Sequence, residues 1–386
     1  MIQDGSNFNS FMQGASRVFL TPILPLLDDK SITEIMINGP DKIYIERSGK
    51  LLKTDISFKD SKALEAAANI ICQFVGKRYS LETPRVDARL PDGSRVHVIG
   101  PPACPAGMSL SIRRFPDKPL MGDDLIRFGS VTPTVLQFLK LMIEMHQNII
   151  VAGGTGSGKT SLLNVLGRYI PPDERLLIIE DTQELQIMQE HVVRLEARPP
   201  DEKGRGGVSI RELFHSALRM RPDRIVIGEI RGGEALDLIQ AMTSGHSGAM
   251  GTVHATRPLD ALRRLETLCL YADSGLPLTA VRTQVASALH LIVCQARLKD
   301  GSRKIVEVAE VLPLNETADY RVNTLFAYEI DSVDEDTGKI HGALRAQGNF
   351  PTFYEHAVKQ GYDLTPQMFM RDPNAATPKK QLELSH

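Results

Sequence analysis

An eight-residue stretch, Gly153 to Thr160 (GGTGSGKT), restricts the folds open to this chain more than any other feature. Gly153, Gly158, Lys159 and Thr160 fill the spacing G-x-x-x-x-G-K-T. Its glycines reach backbone conformations closed to other residues, so successive N–H groups can converge on one anion. Lys159 brings a point charge to the β- and γ-phosphates of a nucleotide, and the threonine hydroxyl of such loops is a Mg²⁺ ligand. Gly154, Thr155, Gly156, Ser157 and Ser161 complete the segment that would enclose the phosphates. The flanks decide its meaning. An apolar strand-like piece, NIIVAG, leads in and a helical one, SLLNVLGRYI, leads out, so the positive end of a helix points at the same anion. A glycine-rich turn matching by accident would not carry both flanks.

Two more short apolar pieces, RLLIIED and RIVIGE, alternate with helical segments from Thr132 onward. Buried strands alternating with helices predict an α/β domain with a doubly wound sheet. In a parallel sheet the carboxyl ends of the strands share one edge, which is also the edge of the phosphate loop. Glu180, Asp181 and Glu229 end these pieces. One acid there can orient or deprotonate water while the other holds Mg²⁺ through its water shell. The competing reading makes them helix caps or solvated turn residues. Gly228 stands where many phosphate-loop enzymes put an aspartate, which leaves the metal-side role to Glu229. The segment SGHSGAMGTVHAT adds His246 and His254, and the strand AMGTVHA would deliver His254 to the same edge. An imidazole there can hydrogen-bond the γ-phosphate; a purely structural histidine is the alternative.

A length of 386 residues predicts two domains. Residues 1–30 read as a lead-in helix broken by Pro22 and Pro25. Residues 31–116 read as a small α+β domain. Its signals are alternation in ITEIMING and KIYIER, a helix capped at Asp60 or Ser61, an Asp92-Gly93 hairpin and the strand MSLSIRRF. Pro116, Pro119, Gly122 and Gly129 mark 117–131 as a linker, 132–330 is the α/β domain, and 331–386 is an extension with a disordered tail.

The formal net charge of -2 argues against a protein that coats nucleic acid. Cys72, Cys104, Cys269 and Cys294 form no C-x-x-C pair and no metal-ligand spacing with histidine, so they read as reduced core thiols. No signal peptide is visible, and no apolar run approaches the ~20 residues of a membrane span. The expectation is a cytoplasmic protein that meets a membrane through partners.

Arginines cluster at 85, 89 and 95, at 113 and 114, at 194 and 198, and at 219, 221 and 224. One site cannot use so many, and most belong to surface or ion pairs. Arg95 and Arg113 lie on strand-like segments of the first domain, from where they are candidates to stabilise transferred phosphate charge.

GGTGSGKT, IIEDTQEL, RPDRIVIGEIRG and SGHSGAMGTVHA together resemble the Walker A, Asp-box, Walker B and His-box set of the type II/type IV secretion ATPases. ITEIMINGPDKIYIERSGKL, RVDARLPDGSRVHV, SIRRF and HVVRLEARPP resemble the tight-adherence (Flp) pilus branch, the CpaF/TadA type. The resemblance runs from about Ile32 to Val311. It implies a RecA-like hexameric motor that hydrolyses ATP with Mg²⁺. Glu180 is then the water-activating glutamate, Glu229 the Walker B glutamate, His254 the His-box histidine, and Arg95 and Arg113 first-domain arginines that reach nucleotide. It also implies inner-membrane platform proteins as partners, with rotation between the two domains of a subunit passed to pilin assembly or substrate export. A conjugation or effector-export ATPase would share every catalytic residue. A nucleic-acid motor is opposed by the charge and by the lack of a basic, aromatic-studded segment. A small-molecule kinase would not need an arginine-bearing first domain.

Overall fold

The computed structural model describes residues 19–371 apart from 48, 91, 116–118 and 201–203. The chain divides into two compact units, Met1–Lys118 and Pro119–His386. The linker residues 117 and 118, the first eighteen residues of the lead-in and the polar tail lie outside the described residues.

In the first unit a 3-10 turn, Thr21–Ile23, runs into the short helix α1, Leu24–Asp28. Then come β1 (Ile32–Asn38), β2 (Ile43–Arg47), β3 (Lys50–Lys53), α2 (Ser61–Phe74), β4 (Arg85–Arg89), β5 (Arg95–Ile99) and β6 (Ser109–Arg113). The strands form an antiparallel sheet in the order β3-β2-β1-β6-β5-β4. Alternation decides which face is covered: Ile35 and Ile37 of β1, Val96 and Val98 of β5 and Leu110 and Ile112 of β6 are buried. They share a core with Leu64, Ala67, Ala68 and Ile71 of α2. Asp60 caps that helix by accepting the Ala63 N–H at 2.8 Å. Gly93 closes the β4–β5 hairpin at φ +87°, a conformation that excludes most side chains.

The second unit contains α3 (Gly122–Arg127), α4 (Pro133–Glu144), β7 (Ile149–Gly153), α5 (Lys159–Gly167), β8 (Leu176–Glu180), β9 (Val192–Glu196), α6 (Ile210–Ala217) and β10 (Arg224–Ile227). It continues through α7 (Glu234–Thr243), β11 (Met250–Val253), α8 (Pro258–Leu270), α9 (Leu278–Ala288), β12 (Leu291–Arg297), β13 (Arg303–Leu312), β14 (Arg321–Val333), β15 (Ile340–Ala346) and α10 (Tyr354–Lys359). One sheet takes all of its strands in the order β15-β14-β13-β12-β7-β11-β10-β8-β9. From β12 to β9 every neighbouring pair is parallel, while β12 to β15 are paired antiparallel. All residues of β7, β8, β10 and β11 are buried, as expected of strands covered on both faces.

Two boundaries differ from the sequence reading. Residues 119–131 are part of the second unit, where α3 places Leu125 in the core beside Val131. The expected boundary at residue 331 falls inside β14, and β15 extends the same sheet. Phe369 is fully buried against Phe138 and Phe326, with ring centroids 5.5 and 5.9 Å away. The half-exposed alternation of β14 and β15 carries little apolar signal along the chain, yet it completes a sheet edge.

Candidate active site

The phosphate loop leaves β7 at Gly153 and enters α5 at Lys159. Glycine is needed at several points for stated reasons. Gly156 and Gly158 have φ of +69° and +95°, and a Cβ on Gly153 would lie 2.4 Å from Ser157 Oγ and 2.5 Å from the Gln295 carbonyl oxygen. The loop is therefore wound too tightly to admit side chains at these turns. Thr160 and Ser161 form the first turn of α5, with Lys159. The Lys159 side chain folds back over the loop, where Nζ donates to the Gly154 carbonyl at 3.0 Å, and the residue is only 8% exposed. Ser157 Oγ is buried without a hydrogen-bond partner at the centre of the same loop. A glycine cradle, an ammonium and an orphaned hydroxyl are the donor set that a phosphate requires. Among the described residues no cluster of three or more His, Cys, Asp or Glu could hold a metal by itself.

Strand order sets the rest. Neighbouring strands lie about 4.8 Å apart, so β7, β11, β10 and β8 present Lys159, His254, Glu229 and Glu180 in sequence along one sheet edge. His254 Nε2 lies 3.0 Å from Glu229 Oε1. Arg231 Nη2 donates to Glu229 Oε2 at 2.5 Å and Nη1 to Asp181 Oδ2 at 2.6 Å, so one guanidinium ties the ends of β10 and β8 together. Burial pushes the Glu229 carboxyl up, but the Arg231 hydrogen bond and charge, with His254 and Lys159 behind them, hold it below the ordinary carboxylate range. Burial and the nearby Lys159 ammonium hold His254 below the ordinary histidine value despite Glu229. At neutral pH the pair is thus a neutral imidazole donating to a carboxylate.

Glu180 is 3% exposed. Burial pushes its carboxyl up to about 7, against the pull of the Glu184 and Leu185 N–H groups, which donate to Oε1 at 2.8 and 2.9 Å. A carboxylate poised there is suited to accept a proton near neutral pH. Gly228 makes room for it: a Cβ at 228 would stand 2.9 Å from Glu180 Cγ.

A family model described as "Type II/IV secretion system protein" matches residues 18–323. The chain belongs to that family. A type IV secretion system protein of Bordetella pertussis, PtlH, is 35% identical over 313 residues, covering 74% of this chain and 92% of the relative. A putative conjugal transfer protein of Mycobacterium tuberculosis is 33% identical over 334 residues, covering 84% and 93%. The crystal structure of the ATPase DotB of Yersinia pseudotuberculosis superposes with a TM-score of 0.54 at 20% identity, covering 79% of this chain and 81% of that one, a likeness of fold. The second unit is a RecA-like phosphate-loop domain, and the family inferred from the four motifs is the right one.

For this member of the type II/IV secretion family, the structure gathers Lys159, Glu229 and His254, with Glu180 next along the edge. His246 is a correction. It precedes β11, whereas His254 follows it, so His246 sits at the opposite end of the strand from the phosphate loop. Its N–H donates to the Ala241 carbonyl at 3.1 Å, closing the end of α7. The proximity of the two histidines along the chain concealed a whole strand between them. Arg95 and Arg113 stand opposite each other on β5 and β6, in a row that continues to Arg89 on one side and Glu34 on the other.

Three residues escaped the sequence reading. Arg231 had a signal, a cation two residues beyond a strand-ending acid. Gln295 and Arg303 had none, since they arrive from β12 and β13. Arg303 Nε donates to the Gly156 carbonyl at 2.9 Å, and Gln295 is 4% exposed beneath Gly158.

Proposed function

We propose that this chain is a motor ATPase that hydrolyses Mg-ATP at the edge shared by β7, β11, β10 and β8. ATP hydrolysis goes with membership of this family. The observation that carries the assignment of roles is the contact of Glu229 with His254 in the field of Lys159. In this reading the loop N–H groups and Lys159 bind the β- and γ-phosphates, and Thr160 and Glu229, the latter through water, hold Mg²⁺. Mg²⁺ supplies charge neutralisation of the phosphates. Glu180 accepts the proton of the water whose oxygen bonds to the γ-phosphorus as the bond to ADP breaks. His254 donates to the γ-phosphate and registers its departure. Arg95 and Arg113 keep the role that the family resemblance implies for them, stabilising transferred phosphate charge.

The work done is assembly of a tight-adherence type pilus, by a homohexamer at the cytoplasmic face of inner-membrane platform proteins. The motif strings of the first unit support that branch. Conjugative or effector export is the second reading, favoured by the relatives at 33–35% identity, a putative conjugal transfer protein and a type IV secretion system protein. No helix among the described residues is long and apolar enough to cross a membrane.

Lys159→Ala tests the site: the rise in melting temperature that Mg-ADP gives the parent protein should vanish, with ATP turnover. Sizing with and without Mg-ATP tests the ring, and a hexamer-sized species is expected. Stimulation of a monomer by single-stranded DNA would point instead to a nucleic-acid motor.

A further inference from the structure

Residues 181–187 fold over the Glu180 carboxylate, and the side chains that hold this loop take no part in the reaction described above. The Glu184 and Leu185 N–H groups both reach Glu180 Oε1. Their aim depends on peptide units pinned from the other side. Arg194, in the middle of β9, donates Nη1 to the Leu185 carbonyl at 2.8 Å and Nη2 to the Ile187 carbonyl at 2.6 Å. A third tie comes from α5, the helix that carries Lys159. Its buried Asn164 accepts the Gln186 N–H on Oδ1 at 2.6 Å.

An arginine fork placed on neutral carbonyls leaves its charge unanswered by those partners. Arg194 is half-buried, and the charge that acts on it is that of Glu180. The attraction is mutual, for Arg194 in turn favours the ionised form of Glu180. Glu184, on the covering loop, opposes it. Of the neighbouring strands, β9 also places exposed Glu196 opposite Glu180 in register. Strand β10 contributes Gly228, without a side chain, and then Glu229, whose carboxylate is held by Arg231 and His254.

We infer that Arg194 is a positioning residue for Glu180, fixing the loop whose N–H groups hold that carboxylate, and that Asn164 links the same loop to the phosphate-binding helix. Arg194 acts through Glu180, by way of the Leu185 and Ile187 carbonyls that it holds. The link through Asn164 makes the Glu180 cradle respond to what the phosphate loop holds. This inference rests on the reading of Glu180 as the base that activates water.

The experiment uses the full chain labelled with ¹³C at glutamate carboxyls, with the Glu180 signal assigned by its loss in Glu180→Gln. Titration without nucleotide should show the Glu180 midpoint of Arg194→Gln raised by about one pH unit. The pH limb of kcat should move with it, kcat at neutral pH should fall roughly tenfold, and the KM for ATP should stay within about twofold. Arg194→Lys keeps the charge and loses the fork, so its midpoint should return toward the parent value while kcat stays low. Asn164→Ala should lose the displacement of the Glu180 signal that ATP binding causes in the parent. Should Arg194→Gln fail to fold, Arg194→Lys and Asn164→Ala still decide. An unmoved midpoint in folded Arg194→Gln, a raised KM with unchanged kcat, parent kcat in Arg194→Lys, or a nucleotide response retained in Asn164→Ala would each overturn the inference. Full turnover by Glu180→Gln ends the base reading itself. A dead Glu180→Gln beside an unmoved midpoint in Arg194→Gln ends only the positioning role.

Discussion

Gly228 and Glu180 occupy one space: the position of a Cβ on residue 228 lies 2.9 Å from Glu180 Cγ and 3.3 Å from its Oε1. The strands bearing them are parallel neighbours, with Ile227 opposite Ile179, so the two residues lie side by side where the sheet ends. The missing side chain on β10 is therefore the reason the acid on β8 can turn inward and lose its water. The next residue along, Glu229, turns its carboxylate to His254 instead.

Gly228→Ala should displace Glu180 without touching the phosphate loop. An acid moved by about 1 Å loses up to ~100-fold in rate. Steady-state turnover should fall between about 10- and 100-fold, while binding of a fluorescent ATP analogue stays near the parent value. Equal losses in both would mean that residue 228 shapes the nucleotide pocket itself.

The pH dependence follows from the direction of the Glu180 shift. Its carboxyl is raised from an ordinary 4.5 to about 7, and only the ionised form accepts a proton, so kcat should climb as pH rises through about 7. Stability runs the other way. The folded chain holds this proton more tightly than the unfolded one, so the contribution is complete below pH 4.5 and is lost as pH rises through about 7. Glu180→Gln should abolish turnover and flatten this part of the urea stability profile between pH 5 and about 8. A parent profile with no such fall, or a variant that keeps it, would remove Glu180 as its source.

Arg231→Ala leaves Asp181 and Glu229 facing each other at adjacent strand ends without their shared cation. The side chain is 55% exposed, so unfolding free energy should drop by less than about 1 kcal/mol. Turnover should suffer more, because the Glu229 carboxylate loses the donor that fixes Oε2. A lower kcat with a nearly unchanged melting temperature is the expected pair of readings. A large drop in melting temperature would make Arg231 a stability element first.

Phe369→Ala tests whether the segment beyond β14 belongs to the catalytic unit. A fully buried phenylalanine replaced by alanine costs about 3–5 kcal/mol. The cooperative unfolding transition of the second unit should move down by that amount in urea. A chain ending at residue 330, cut within β14, should fail to fold the unit. Parent-like stability in either variant would restore the picture of an appended extension.

What the sequence determined by itself was everything carried by contiguous residues. Glycine spacing announced the phosphate loop, period-two alternation announced β1, β2, β4, β5 and β6, and Asp60 announced the start of α2. Apolar runs ending in Glu180 and Glu229 announced two of the parallel strands. Each of these signals spans only a few neighbouring positions, because backbone geometry and one-sided burial write their period directly into the chain. Strand order was decided only in three dimensions. It put β11 rather than β8 beside β7, sent His246 and His254 to opposite ends of one short strand, and brought Gln295 and Arg303 under the phosphate loop. Burial was likewise a tertiary matter, since the value of about 7 for Glu180 arises where β8, β10 and the 181–187 loop close over one carboxylate. Local propensity specifies the elements. Which of them meet, and how dry their meeting place is, depends on contacts between segments far apart in the chain, which no local period can encode.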